Sequence, residues 1–318
     1  MNPASLASFR QPASGAYVEL DDLLSLRFAA REVPLTPRQM SQSQLAGGVR
    51  TRFRGRGMEF EEVRHYQAGD DIRSIDWRVT ARTQVTHTKL FREERERPVI
   101  VMLDQRSSMF FGSQHCFKSV VAAHAAALMG WTALANNDRI GALIFNDHQE
   151  RDIRPKRSRH TLLKLLQESQ SFNKQLVSPV AAEDSISLTQ RLSDLRRIAK
   201  PGSAIIIISD FRGLNDACDE QFYQLARHGD VSLLHVSDPL EAQLPDNMRL
   251  TISNGLQRRT LDTRNRQIKS DYRQEFTDHL QHLQTLAGQL ALPLLNISTA
   301  TAPLLQLQEL FGKHACRR

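Results

Sequence analysis

Two short apolar runs that have the character of buried strands each lead into an aspartate. Asp104 follows the run Pro98–Leu103, and Asp210 follows the run Ala204–Ser209. Ligands of open, mostly parallel sheets bind at the carboxyl ends of the strands, so these two side chains are candidates for one shared site. Carboxylate oxygens at such a site could hold a hard cation such as Mg²⁺, or serve a metal-assisted hydrolysis.

A second group of charged side chains lies upstream, where carboxylates alternate with arginines and two large aromatic residues stand among them. Its members are Arg64, Tyr66, Asp70, Asp71, Arg73, Asp76, Trp77, Arg78 and Arg82. The pattern predicts a network of Arg–carboxylate pairs with a cation–aromatic contact. The network either clamps this segment onto the rest of the protein or forms a surface that recognises a protein partner. Arginines at this density should lower the pKa of the carboxyls, which disfavours general acid–base catalysis.

Beyond residue 97, apolar strand-like runs alternate with helix-like segments. Further strands are expected at Arg139–Phe145, Val231–Val236 and Leu292–Ile297. This alternation predicts an α/β fold with a doubly wound, mostly parallel sheet that is covered on both faces. Two short runs, Arg249–Ser253 and Arg258–Asp262, flank an Asn-Gly pair and predict a small β-hairpin insertion.

The sequence predicts four consecutive regions. Residues 1–46 form an N-terminal tail with a short helix over Leu20–Val33, and residues 47–97 form the charged segment. Residues 98–300 form the sheet domain, and residues 301–318 form a C-terminal helix over Ala302–Leu310 and a tail. The basic stretch Arg151–His160 is interpreted as a solvated loop.

Composition narrows the possible functions. The 318 residues carry 42 Lys and Arg against 35 Asp and Glu, a net charge of +7 that permits an acidic partner without requiring one. No apolar run reaches the roughly 20 residues that span a bilayer. The three cysteines lack metal-ligand spacing, which favours reduced thiols in a cytoplasmic protein. Neither a phosphate-binding loop nor aromatic residues within the basic stretch are present, so no nucleic acid is expected as partner.

The sheet region resembles the von Willebrand factor A fold, whose metal-ion-dependent adhesion site uses Asp-x-Ser-x-Ser after the first strand and an Asp after a later one. Asp104 and Ser108 match the first and last positions of that motif, and Asp210 matches the late Asp. Arg106 replaces the middle Ser, and Asp184–Leu188 holds no candidate for the Thr ligand. A guanidinium would neutralise the carboxylates that otherwise balance a divalent cation. The resemblance therefore implies a degenerate, arginine-bridged metal site, with a filled Mg²⁺ site as the alternative.

The charged segment carries a longer and more specific motif. Residues 57–82 contain Gly-x-Glu-Phe, then Arg-x-Tyr-x-x-Gly-Asp-Asp-x-Arg-x-Ile-Asp-Trp, then Thr-Ala-Arg, and the run ending at Pro98 continues the pattern. This resembles the signature of the domain of unknown function 58 family. The resemblance extends more weakly from about Gly47 to Thr299.

This second resemblance implies a non-enzymatic role. Members of the family are commonly encoded beside MoxR-type AAA+ ATPases and other von Willebrand factor A proteins, and are thought to act with them as adaptors or chaperone-like partners in maturation or stress tolerance. We therefore expect a protein-binding scaffold without a cofactor that contacts such partners through residues 64–82 and the loop 104–108. The alternatives are a metal-dependent hydrolase that uses Asp104 and Asp210 and, less favoured, a nucleic-acid-binding protein.

Overall fold

The computed structural model describes residues 9–33, 58–67, 70–93, 97–175, 186–253 and 258–312. The chain divides into two compact units. The larger unit comprises Met1–Leu45 together with Arg97–Arg318, and the smaller unit comprises Ala46–Glu96. The six-stranded sheet belongs to the larger unit, and a two-stranded sheet belongs to the smaller one.

The described residues form strands, helices and three short 3₁₀ turns. The strands are β1 Met58–His65, β2 His87–Glu93, β3 Pro98–Asp104, β4 Arg139–Phe145, β5 Glu150–Lys156, β6 Ala204–Ser209, β7 Asp230–Ser237, β8 Arg249–Ser253, β9 Arg258–Asp262 and β10 Leu294–Ser298. The helices are α1 Leu20–Ser25, α2 Trp77–Thr83, α3 Lys118–Ala135, α4 Arg159–Lys174, α5 Leu188–Ile198, α6 Asp216–His228, α7 Pro239–Ala242, α8 Arg266–Gln289 and α9 Pro303–Gly312. The 3₁₀ turns are Ala30–Glu32, Ile72–Ser74 and Ser107–Met109.

The larger unit is built on a six-stranded sheet with the order β10-β7-β6-β3-β4-β5. All neighbouring pairs are parallel except β4 with β5, which is antiparallel at one edge. Counted in chain order within the sheet, this arrangement is 3-2-1-4-5-6, the doubly wound order in which the chain reverses direction beside the first strand. The predicted α/β class with a mostly parallel sheet is confirmed.

Both faces of the sheet are covered because its central strands are apolar on both sides. In β3, the side chains of Val99, Val101 and Leu103 belong to one core, and those of Ile100 and Met102 belong to the other. Helices α3 and α4 cover the first face, and helices α5, α6 and α8 cover the second. Strands that are buried on two faces read as continuous apolar runs, which is why the sequence located them correctly.

The smaller unit is an antiparallel hairpin in which β1 pairs with β2. Helix α2 lies in the connection between the two strands, and an isolated bridge joins Ile75 to Thr88 of β2. The side chain of Ser74 also contacts Thr88, with 2.7 Å between their hydroxyl oxygens. The charged signature is therefore a folded β–α–β unit with a local framework of its own.

The structure corrects several boundaries. Helix α1 ends at Ser25, where the sequence predicted a helix as far as Val33, and the Ala30–Glu32 turn follows it. The stretch Arg151–His160 is not a loop but most of edge strand β5 followed by the start of α4. Ile153 is the buried position of β5, which leaves too short an apolar pattern to reveal a strand. The β8–β9 hairpin is confirmed with its predicted bounds.

Candidate binding site at the strand ends

The two candidate aspartates lie at neighbouring strand ends. Strand β3 pairs with β4 on one side and with β6 on the other, so β3 and β6 flank the point where the connections diverge. Asp104 is the last residue of β3, and Asp210 comes directly after β6. Both side chains are buried. The sheet thus brings together two buried carboxylates at the place where α/β folds bind ligands.

The Arg106 side chain joins these two carboxylates. Its Nε donates to both oxygens of Asp104 at 3.1 Å, and its Nη2 donates to Asp104 Oδ2 at 2.7 Å. The same Nη2 lies 3.7 Å from Asp210 Oδ1. Burial by itself would lower the pKa of the Arg106 guanidinium, but the charge of Asp104 and its hydrogen bonds raise that pKa above the ordinary value. Arg106 is therefore held as a cation between the two strand ends.

A second cation, Lys118, lies on the other side of Asp210. Lys118 is the first residue of α3 and is completely buried, with Nζ 2.9 Å from Asp210 Oδ2 and 2.7 Å from Glu241 Oε1. Glu241 also accepts a hydrogen bond from Arg212 Nη2 at 3.2 Å. Burial would raise the pKa of Asp210, but Lys118 and then Arg106 hold it well below its usual range.

Sequence reasoning missed Lys118 and Glu241. Lys118 begins an otherwise apolar helical run, and a cation in such a run is costly to bury without a carboxylate partner. A lysine in an apolar helical run was therefore the feature of the sequence that could have indicated a buried ion pair. Glu241 gave a weaker one, because Asp238 and Glu241 form a capping box at α7 and so read as helix-start residues.

Ser108, the third predicted metal ligand, lies in the turn Ser107–Met109. Its Oγ is buried and makes no hydrogen bond to a described residue. Asp104 instead receives a hydrogen bond from Ser209 Oγ at 2.6 Å. Asp184, where the Thr-bearing loop was expected to begin, lies outside the described residues.

The side chains at this site do not fit a divalent cation. Both oxygens of Asp104 are bonded to Arg106, and Asp210 faces Arg106 on one oxygen and Lys118 on the other. A cation would have to displace two buried positive groups from the carboxylates it needs as ligands. In the described part of the chain, no cluster of three or more His, Cys, Asp or Glu side chains is arranged to hold a metal ion.

The signature residues of the smaller unit form local contacts. Arg64 Nη2 lies 2.7 Å from Asp70 Oδ1, and the Tyr66 hydroxyl donates to the Asp70 carbonyl oxygen at 3.2 Å. Asp70 also accepts the backbone N–H of Gln67 at 2.9 Å. These contacts close the turn that follows β1 and hold Arg64 and Tyr66 against it.

The other two signature aspartates cap the helical turns that follow them. Asp71 accepts the backbone N–H of Arg73, and Asp76 accepts those of Arg78 and Val79 at the start of α2. A short carboxylate just before a helical turn finds these N–H groups closer than any distant guanidinium. The Val79 N–H is the main cause that lowers the pKa of Asp76, and Lys89 contributes at 3.5 Å.

The remaining signature side chains face solvent. Trp77 is 66% exposed and Ile72 is 65% exposed, and Arg73, Arg78 and Arg82 are also exposed. The expected cation–aromatic contact is not found at Tyr66 or Trp77 within the described residues, where the arginine–ring contacts involve Phe28 and Phe145. The smaller unit therefore presents a tryptophan, an isoleucine and three arginines to solvent.

Comparison with known proteins gives the family. A family model described as "Protein of unknown function DUF58" matches residues 62–282, which is more than half of the chain. The chain belongs to the DUF58 family. The uncharacterized proteins Mb1516 of Mycobacterium bovis and Rv1480 of Mycobacterium tuberculosis are each 31% identical to it over 238 residues, covering 74% of this chain and 72% of theirs.

Solved structures that are similar to this DUF58 chain include the following two. A conserved hypothetical protein, BatB from Bacteroides thetaiotaomicron, covers 70% of this chain and 100% of its own at 15% identity and a TM-score of 0.40. A von Willebrand factor type A protein from Catenulispora acidiphila covers 73% of this chain and 44% of its own at 11% identity and a TM-score of 0.36. Among the described residues of this DUF58 chain, no helix combines the length and apolar character needed to cross a membrane.

Proposed function

We propose that this DUF58 protein is a non-enzymatic scaffold that binds other proteins. The observation that carries the proposal is the pairing of Asp104 with Arg106 and of Asp210 with Lys118 at the strand ends. A general base needs a pKa near the working pH, whereas the pKa of Asp210 is held low. A metal-assisted reaction needs an open coordination position, and the carboxylate oxygens are already bonded to cations.

The partner we propose is a MoxR-type AAA+ ATPase, alone or together with other von Willebrand factor A proteins. Membership of the DUF58 family supports this choice of partner. The proposed contact is the signature surface, defined as Ile72, Arg73, Trp77 and Arg82. Tryptophan and arginine are the residue types that most often dominate binding energy at protein interfaces, and these side chains are exposed on the smaller unit.

The test is capture of the MoxR-type ATPase from the native cell by the full-length chain, with and without ATP. We expect Trp77→Ala and Arg73→Ala to weaken capture by about 30-fold or more, as the loss of an interface hot spot does. Tyr223→Ala is the matched control, since Tyr223 is an exposed aromatic residue on α6 of the larger unit. It should capture the ATPase as well as the unchanged chain does, and all three variants should unfold at nearly the same temperature.

Three outcomes would contradict the proposal. If Trp77→Ala or Arg73→Ala unfolds the protein as it loses capture, the signature is a structural clamp. If no AAA+ ATPase is captured in either nucleotide condition, the partner is wrong. Saturable Mg²⁺ binding in a calorimetric titration that disappears in Asp104→Ala would favour the metal-dependent alternative.

A further inference from the structure

A cleft of about 620 Å³ opens beside the strand-end ion pairs, within the larger unit. One wall is formed by Asp210 and Arg212 after β6, by His235 of β7 and by Glu241 of α7. The cleft shares Asp210, Arg212 and Glu241 with the neighbouring strand-end site, whereas Asp104 and Arg106 do not line it. The cleft is large enough for a side chain and the adjoining backbone of a bound peptide.

The opposite wall is one face of helix α8. Tyr272, Glu275, Phe276 and His279 line the cleft at the i, i+3, i+4, i+7 spacing that places residues on one side of a helix. The same stripe continues to Leu283, which is buried in the core against the sheet. One face of α8 therefore does two things. Near the C-terminus of the helix it packs on the sheet, and near the N-terminus of the helix it lines the open cleft.

Two histidines, His235 and His279, line this cleft. His279 Nε2 donates a hydrogen bond to the carbonyl oxygen of Asp210 at 2.9 Å, because a carbonyl oxygen only accepts. His235 Nδ1 lies 3.2 Å from Asn296 Oδ1, which leaves its Nε2 as an acceptor. Burial, with His279 nearby, lowers the pKa of His235 to about 4, so this ring stays neutral at physiological pH.

Most charged side chains that line the cleft are acidic. Asp210, Glu241 and Glu275 line the cleft together with a single cation, Arg212. Arg212 is already bonded to Glu241, and Lys118 compensates Asp210 and Glu241 from behind. Glu275 is exposed and forms no ion pair with a described residue. The cleft therefore combines the Glu275 carboxylate, the neutral imidazole of His235 and the rings of Tyr272 and Phe276.

We infer that this cleft binds an arginine side chain presented by a partner protein. A guanidinium donates in several directions within one plane and stacks on aromatic rings, which matches acceptors set among Tyr272 and Phe276. An anion would find only Arg212, already bonded to Glu241, and would face the charge of Glu275. The inference rests on the proposed scaffold function only in assigning the arginine to a protein.

The test titrates the full-length chain with a blocked pentapeptide, acetyl-Gly-Ser-Arg-Ser-Gly-amide, and follows binding by calorimetry. The matched probe carries citrulline in place of arginine, which keeps the shape and removes the charge. We expect the citrulline peptide to bind about tenfold more weakly, since it loses both the cation–aromatic attraction and the charged hydrogen bonds. No ATPase is present, so failure of the capture experiment and failure of this one are separate results.

Two variants locate the bound peptide. Glu275→Gln removes an exposed charge at constant shape, and Phe276→Leu removes the ring while keeping an apolar side chain; each should weaken the arginine peptide about threefold. Glu220→Gln, on the exposed face of α6 away from the cleft lining, is the matched control and should bind like the unchanged chain. Thermal unfolding of Glu275→Gln should match that of the control.

The inference is overturned if the citrulline and arginine peptides bind equally, because the cleft then does not recognise the guanidinium charge. It is also overturned if Glu275→Gln and Glu220→Gln bind the arginine peptide alike. Tighter binding of the same peptide with glutamate in place of arginine would instead make Arg212 the binding group, and the cleft a site for acidic partners.

Discussion

At the scale of single residues, Lys118 is the buried centre of an ion-pair network at the strand ends. Its ammonium and the Arg106 guanidinium both face Asp210, so the buried carboxylate is neutralised from two sides. Breaking a buried pair by removing one partner is costly because the remaining charge stays in a low-dielectric environment. The strand-end loops are therefore tied together by charge, and the Lys118 ammonium links the start of α3 to the loops that follow β6 and β7.

We expect Lys118→Met to lower the free energy of unfolding by about 3 kcal/mol or more, since Asp210 and Glu241 lose the cation between them. Arg212→Met is the matched control, because it also removes a cation from Glu241, but from a side chain that is 58% exposed. Exposed pairs contribute little, so the control should cost no more than about 1 kcal/mol. Urea unfolding monitored by circular dichroism measures both values, and equal losses would contradict a buried network.

The sequence predicted the two aspartates of this site but not the Lys118–Glu241 pair that lies beside them. Asp104 and Asp210 were found because each follows an apolar run, and a strand end is visible in the sequence. Lys118 and Glu241 lie more than a hundred residues from each other, and their contact depends on how α3 and α7 meet at the sheet. Contacts of that kind require the tertiary arrangement, which local periodicity does not encode.

At the scale of elements, the edge strand β5 shows where pattern reasoning loses its signal. It contacts the core through Ile153, and charged residues with Pro155 occupy most of the other positions, as is common on sheet edges. The central strands β3 and β6 were found because both of their faces are buried. A strand that is buried on both faces can thus be predicted from its sequence, whereas an edge strand with a single buried residue cannot.

Gly141 of β4 tests the packing of this edge. A Cβ added at Gly141 would lie 2.6 Å from the carbonyl oxygen of Ile153 and 2.8 Å from the backbone nitrogen of Pro155, at a register shift between β4 and β5. We expect Gly141→Ala to lower the free energy of unfolding by about 2 kcal/mol, because backbone atoms must move to make room.

The matched control for Gly141 is Gly288, which lies in α8 with no atom within 4 Å of an added Cβ. Gly288→Ala should raise the free energy of unfolding by about 0.5–1 kcal/mol, because alanine loses less conformational entropy in a helix. Chemical denaturation of the two variants side by side measures both signs. A neutral Gly141→Ala would mean that β5 is not fixed against β4.

At the scale of the whole molecule, a half-buried histidine, His124, and a buried one, His235, lie on opposite sides of the sheet domain. His124 of α3 lines a cavity of about 260 Å³ together with Phe9, Leu26 and Leu304, and it forms no hydrogen bond with a described residue. His235 lies across the sheet, in the cleft beneath α8. Burial lowers the pKa of both rings to about 4 from an ordinary value of 6.5. Both rings therefore favour the neutral form in the folded protein.

The difference between the pKa of each ring in the folded protein and in the unfolded chain determines how the stability of the fold responds to acid. Between pH 6.5 and pH 4 the unfolded chain takes up protons at His124 and His235 that the folded protein refuses, so the free energy of unfolding falls as the pH falls. Between pH 7 and pH 5 each ring should account for a loss of up to about 2 kcal/mol. The lowered pKa of Asp210 acts in the same direction but only below its unfolded value near 4, outside this interval.

Urea unfolding at pH 7 and at pH 5 should therefore show a smaller loss of stability for His124→Gln and for His235→Gln than for the unchanged chain. His160→Gln, at an exposed position of α4, should lose as much stability as the unchanged chain does. If all three variants lose the same amount of stability, neither His124 nor His235 controls the response, and acid must act on the fold through other groups.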